Sequence, residues 1–439
     1  MINVKSDGVV TLEANICTGS SFDRKQIAFD QKSGLILEVG ALQIPFKSLD
    51  YQFNDDTILF PAFGDIHVHA REDVSQKNIY KEDFKSISSA AINGGVVLIG
   101  DMPNNPIPPV NETTYLAKLN LTKSAPIAIF LYAGVGPKSV AFKEFKVPYK
   151  VYMGPSIGDL FFKDKATLFA TLKNYQGQTV SFHCEDPDIL EKNRGASTHE
   201  LRRPKIAELM STIDALEFIE KFNLKGKLCH YSIGEGLPLI RKARERGLSV
   251  EMEVTPQHLY YSMEKMQELN FSKEQIVEMQ MNPPLRSEED RHQLLEAFRK
   301  GEIDYLATDH APHAPDEKTN GISGLTGLDT YGSVVSWLIQ KERVDPKVIA
   351  KACSEKPGEF FNQFLDEWKR YFPEYNRFGK GIGKIAPGYS ANFSLLNLNL
   401  KHIITKNSLY TKAKSSPFLN REFPGRVEKV FLLGREITP

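Results

Sequence analysis

From residue 65 onward the chain alternates brief β-rich apolar runs with longer segments whose apolar residues recur at helical spacing. The runs occupy residues 65–69, 96–100, 128–133, 149–153, 179–183, 226–230, 249–254 and 303–308. One intervening helix is predicted over Lys205 to Phe222, with Ile206, Leu209, Met210, Ile213, Leu216 and Ile219 as its apolar stripe. Another follows Ser287, with Asp290 three residues on as a variant of the capping box and Gly301 as its stop. Eight strands alternating with helices predict an α/β fold, a (β/α)8 TIM barrel.

The two ends of the chain have a different rhythm. Residues 1–58 alternate polar and apolar positions between turns, as in Gly34 to Gly40, and read as short antiparallel strands. After Gly383 to Gly388, strand-like patterns return over Phe393 to Leu396 and Lys429 to Leu433. The expected organisation is a small β-sandwich built from residues 1–58 and 386–439, enclosing a catalytic barrel over 59–385. A chain of 439 residues is long enough for one large domain and one smaller one.

Charge narrows the class of partner. Lysine plus arginine equals aspartate plus glutamate at 55 each, which leaves no basic footprint for nucleic acid and no polybasic stretch for a membrane surface. A small-molecule substrate is expected, and a homodimer is the commonest assembly for such a chain. Cys17, Cys184, Cys229 and Cys353 lie far apart without a CxxC pair, and Met1 to Lys5 lacks the apolar core of a signal peptide. Both features fit a reducing cytoplasm. No apolar run approaches the roughly 18 residues that span a bilayer, so a soluble protein is expected.

The candidate chemistry gathers at strand ends. His67 and His69 are two apart, which in a strand turns both side chains to one face, as chelation of a single ion requires. A histidine pair of that spacing is a weak signal alone; its place at the end of the first barrel strand, where active sites of this architecture lie, strengthens it. His183 and His230 end the fifth and sixth runs in matching positions, although either alone reads equally well as a hydrogen-bonded core histidine. Asp309 ends the eighth run, where a carboxylate can bind a metal and take a proton from bound water, or simply cap a helix. Cys184 and Cys229 adjoin those histidines, and strand alternation assigns them to the opposite face as packing residues. Lys150 stands where an apolar barrel wall would not ordinarily hold an ammonium. A lysine amine among metal ions can react with carbon dioxide to give a carbamate that bridges two of them; the competing reading is a lysine snorkelling to the barrel rim.

The motifs as a set resemble the dihydroorotases of the amidohydrolase superfamily, from about Phe60 to the C-terminus. They are Gly64-Asp65-Ile66-His67-Val68-His69-Ala70-Arg71-Glu72, Asp101-Met102-Pro103-Asn104, Lys150-Val151-Tyr152-Met153-Gly154, Asn282-Pro283-Pro284-Leu285-Arg286 and Thr308-Asp309-His310-Ala311-Pro312-His313. The resemblance implies one cation on His67, His69 and Asp309, a second on His183 and His230, and a carboxylated Lys150 bridging them with a hydroxide. It implies two divalent ions, with zinc fitting the ligand set and cobalt or manganese able to substitute. It also implies that Arg71, Asn104 and His313 hold a substrate carboxylate, that Asn282 contacts the ring, and that Asp309 is the catalytic acid and base. The implied reaction is the reversible cyclisation of N-carbamoyl-L-aspartate to dihydroorotate in pyrimidine biosynthesis. Hydantoinases, dihydropyrimidinases and allantoinases share the architecture without needing the full carboxylate trio, and form the alternative reading. A non-catalytic assembly partner is a third, weakened because all six candidate ligands are present. The chain departs from the family pattern at Asp73-Val74, where Pro-Gly is usual, at Asn105, where threonine is common, and at Gln257-His258, where a histidine pair is common.

Overall fold

The computed structural model describes residues 8–154, 160–162 and 164–439. Pro155 and Ser156, which close the Lys150 run, and Met1 to Lys5 lie outside the described residues.

The barrel strands are β1 (Phe63–Val68), β2 (Val96–Asp101), β3 in two pieces (Ala128–Leu131 and Ala133–Gly134), β4 (Tyr149–Tyr152), β5 (Thr179–His183), β6 (Lys225–Leu228), β7 (Val250–Val254) and β8 (Tyr305–Leu306). Each pairs in parallel with the next. The ring closes through a parallel bridge between Val68 and His310, where the His69 N–H donates to the His310 carbonyl at 2.8 Å. The structure is therefore the expected (β/α)8 barrel. Several strands end earlier than the apolar runs: β8 stops at Leu306, so Asp309 lies in the loop beyond it.

Two helices test the periodicity reading. Helix α2 (Glu288–Arg299) starts as expected, with the Ser287 side chain accepting from the Asp290 N–H, and Gly301 past its end takes the left-handed φ of +69°. Helix α1 (Lys205–Lys221) forms where expected, but its apolar stripe is divided. Leu216 and Ile219 are buried, whereas Ile206, Met210 and Ile213 are exposed at 47%, 40% and 42%. The face turned inward carries Glu208 and Phe218 and, between them, the small Ala207, Ser211, Thr212 and Ala215. Small side chains let a helix approach the barrel wall closely, and that packing overrides the hydrophobic count.

Both chain ends contribute to one eight-stranded sheet. The strand Phe393–Asn397 pairs antiparallel with Thr57–Pro61, with Leu395 opposite Leu59, and Thr57–Pro61 in turn pairs with Val9–Cys17. The order continues through Phe22–Asp30 to Leu35–Gly40 on one side and through Arg426–Leu432 to Arg435–Ile437 on the other. Phe29 and Phe431 stand four strand spacings apart along this order, about 19 Å if the sheet were flat. Their rings nevertheless meet at 5.8 Å, with Phe393 5.5 Å from Phe29. The sheet folds back over its own apolar face as a small β-sandwich, with Leu12, Ile27, Leu59 and Leu395 in the same core. Among the described residues, no helix is long and apolar enough to cross a membrane.

Candidate metal centre

Three ligand atoms meet where β1 and β8 end. His67 lies in β1 and His69 just beyond it; their Nε2 atoms are 3.4 and 3.0 Å from Asp309 Oδ1. The three groups offer donor atoms within 4.8 Å of one another, and all are buried. Asp309 reaches in from a left-handed residue, φ +48°. Burial pushes His67 down to about 4 and His69 well below the ordinary imidazole value, and it raises the Asp309 carboxyl. Neutral imidazoles with a free lone pair are the form a cation binds.

His183 closes β5 and His230 follows β6, and the structure brings them together: His183 Nδ1 lies 2.9 Å from His230 Nε2. The His67 ring is 5.2 Å from the His230 ring, which makes the two histidine sets neighbours. His230 Nδ1 is a buried nitrogen with no hydrogen-bond partner among the described residues. Such an orphan in a cluster of imidazoles and a carboxylate fits a divalent-cation site. His183 Nε2 instead faces Glu185 at 2.8 Å, and Arg203 grips that carboxylate. Neither Glu185 nor Arg203 was legible as a site residue.

Lys150 is fully buried, but it is the second residue of β4 rather than the end of a strand. Its Nζ donates to Cys229 Sγ at 2.8 Å and sits 5.2 Å from the centre of the Tyr152 ring. Among the described residues no carboxylate lies within ion-pair distance of it, although its charge acts on Asp309 and Glu253. Cys229 departs from its expected place: the thiol points into the barrel, against Lys150, and not to the outer face. Strand β6 ends at Leu228, and the left-handed His230, φ +35°, breaks the alternation on which the outward assignment rested. Cys184 is buried, as a packing residue should be.

Of the expected carboxylate trio, two members touch. Arg71 Nη2 donates to His313 Nε2 at 3.1 Å, and its Nε–H donates to the Pro312 carbonyl at 3.2 Å. Asn104 joins through a candidate ligand, its Oδ1 accepting from His69 Nδ1 at 2.7 Å. Asn282 makes no side-chain hydrogen bond to these three among the described residues, and its Oδ1 is a buried acceptor without a partner there. The departures from the family pattern have structural work. Asp73 accepts from the Ile107 N–H at 2.7 Å, tying the loop after β1 to the loop after β2, and Asn105 accepts from the buried Lys118.

One further layer was missed. Glu253 of β7 contacts His67 Nδ1, accepts from the His230 N–H at 3.0 Å and pairs with Lys227 of β6 at 2.5 Å. Burial works to raise the Glu253 pKa, but His67 and Lys227 outweigh it and hold the carboxyl below the usual range.

No protein-family model matches the chain. A dihydroorotase of Thermococcus kodakarensis is 30% identical over 407 residues, covering 92% of this chain and 88% of that one. A dihydroorotase of Methanosphaera stadtmanae is 28% identical over 429 residues, with 92% and 91% covered. Among solved structures, an L-hydantoinase (dihydropyrimidinase) of Arthrobacter aurescens superposes with a TM-score of 0.83 at 20% identity, covering 98% of this chain and 96% of that one. A dihydropyrimidinase of Brevibacillus agri gives 0.81 at 20% identity, with 98% and 95% covered. At that identity the structural likeness speaks for the fold alone.

Proposed function

Because the chain belongs to the dihydroorotase family, we propose that it interconverts N-carbamoyl-L-aspartate and dihydroorotate at the centre described above. The observation that carries the reading is the convergence of His67, His69 and Asp309, with the paired Arg71 and His313 two residues beyond His69 and four beyond Asp309 in the chain. His67, His69 and Asp309 would hold one divalent cation, His183 and His230 the other, and Lys150, carboxylated on Nζ, would bridge them. Cations in this donor set polarise a carbonyl and supply a nucleophilic water near neutral pH, and zinc suits the imidazole-rich ligands.

The remaining steps belong to the protein's own groups. Arg71 offers a planar fork to the substrate carboxylate, with His313 beside it and Asn104 adding amide donors. Asn282 Oδ1, a buried acceptor, is suited to a ring N–H. In the hydrolytic direction water adds to the ring carbonyl carbon and the ring C–N bond breaks. Asp309 takes the water's proton and delivers it to the departing nitrogen. Ring closure runs the same path backwards, with Asp309 returning the proton. In this reading residues 59–385 form the catalytic unit, and the four free, buried cysteines support a reducing cytoplasm.

Turnover of dihydroorotate against hydantoin, dihydrouracil and allantoin tests the substrate. Dihydroorotate should be preferred; faster turnover of any of the other three would move the chain to a related cyclic amidase. Zinc content of the purified protein tests the centre.

A further inference from the structure

Beneath the candidate ligands the barrel encloses an ion pair that the proposed chemistry does not use. Glu253 and Lys227 are 0% and 1% exposed. Enclosing two charges is expensive unless both are paired and their remaining hydrogen-bonding capacity is met. Here both conditions hold. Glu253 Oε2 accepts from Lys227 Nζ, while Oε1 takes the His230 backbone N–H and lies against His67 Nδ1. Lys227 also lies 3.3 Å from the Tyr132 hydroxyl, which itself donates to the Ile66 carbonyl at 2.9 Å, one residue before His67.

One carboxylate thus touches the side chain of a candidate ligand on β1 and the backbone of another beyond β6. A carboxylate paired with an ammonium only accepts hydrogen bonds, so His67 must carry its proton on Nδ1. Its Nε2 lone pair is then left facing Asp309, the side on which His69 also presents Nε2. Glu253 also holds the His230 amide at a residue whose backbone is left-handed, a conformation that persists in a non-glycine residue only where surroundings impose it. His67, Cys229 and Glu253 themselves form a second cluster of potential ligand atoms. The ammonium of Lys227 already occupies Glu253 there, which disfavours a further cation.

We propose that Glu253, braced by Lys227, is a positioning residue for the metal centre: it fixes the tautomer of His67 and the backbone of His230, and so aligns one ligand of each cation. This rests on the metal-centre reading above. Carboxylates behind metal-bound histidines ordinarily change metal affinity by about 10- to 100-fold.

The test uses the full chain. Glu253→Gln leaves Lys227 buried without an anion and can fail to fold, so the deciding variant is Glu253→Leu combined with Lys227→Met, which removes both charges together. Zinc stoichiometry and affinity are read by competition with a chelator, beside circular dichroism and melting of the chelated protein. A folded double variant should bind zinc at least about tenfold more weakly, with turnover partly restored by excess zinc and KM little changed. Unchanged affinity in a folded double variant overturns the proposal. Nitrogen NMR of histidine-labelled wild-type protein gives an answer that needs no variant: His67 should be protonated at Nδ1, and an Nε2–H tautomer overturns the proposal. A wild-type protein that binds no zinc sinks the metal-centre reading and this proposal with it. Wild type that binds two ions, beside a double variant equal to it, sinks the proposal alone.

Discussion

Arg71 Nη2 donates to His313 Nε2 across 3.1 Å, joining the loop after β1 to the loop after β8. In the function proposed above, the rest of the guanidinium fork serves the carboxylate of the substrate ring. Burial, then the charge of Arg71, push His313 down to about 3, so a neutral imidazole accepts this bond. Arg71→Lys keeps the charge and loses the fork. Its KM for dihydroorotate should rise roughly 10- to 100-fold, the equivalent of one charged hydrogen bond, with a smaller fall in kcat. Steady-state kinetics check this; an unchanged KM would remove Arg71 from the substrate site.

Asp309 is the group assigned two roles, ligand and proton carrier. Asp309→Asn suits its left-handed backbone, φ +48°, because asparagine is among the residues that enter that region most readily. The fold should therefore survive while the proton acceptor is lost. Turnover should drop by about 100-fold or more, with melting of the chelated protein nearly unchanged. Near-normal kcat in this variant would leave the proposed proton path without a carrier.

The positions of all eight barrel strands could be read from the sequence because parallel strands covered on both faces appear as nearly continuous apolar runs. His67, His69, His183, His230 and Asp309 are legible as candidates because they stand at the ends of those runs. Glu253 and Lys227 were not, because a charged residue inside a short run ordinarily marks a solvent-facing position, and only the closed barrel places these two against each other. Cys229 was misplaced for a local reason: alternation holds within a strand, and β6 stops one residue before it. The apolar stripe of α1 misled in the opposite way, since Ala207, Ser211 and Ala215 face the barrel through small size and Ile206, Met210 and Ile213 do not.

Lys150 has a test independent of turnover. Gently prepared, metal-loaded protein should weigh one carbon dioxide more than the sequence and its bound metal ions together, with that extra mass lost on acidification, as a carbamate requires. Lys150→Ala should bind less metal and be nearly inactive, and a small carboxylic acid supplied in solution should restore part of both by standing in for the missing carboxylate. An unmodified Lys150 in a protein holding two metal ions would end the bridging role while leaving the barrel and the substrate reading intact.

His258 predicts how stability depends on acidity. It is enclosed with Nδ1 2.9 Å from the Thr255 hydroxyl and Nε2 3.2 Å from the Pro284 carbonyl. Burial, with the Arg286 guanidinium adding to it, lowers its pKa from 6.5 to about 4. The folded protein therefore refuses a proton that the unfolded chain accepts below about pH 6.5, so stability is complete above that value and drains away as the pH falls toward 4. Near pH 5 the loss from this residue should be roughly 2 kcal/mol. Urea unfolding of the chelated protein near pH 7.5 and near pH 5 measures it. His258→Gln should be weaker than wild type at the higher pH, through its altered hydrogen bonds, yet lose roughly 2 kcal/mol less on acidification. Equal losses in the two proteins would show that His258 takes up its proton in the folded state as readily as in the unfolded chain.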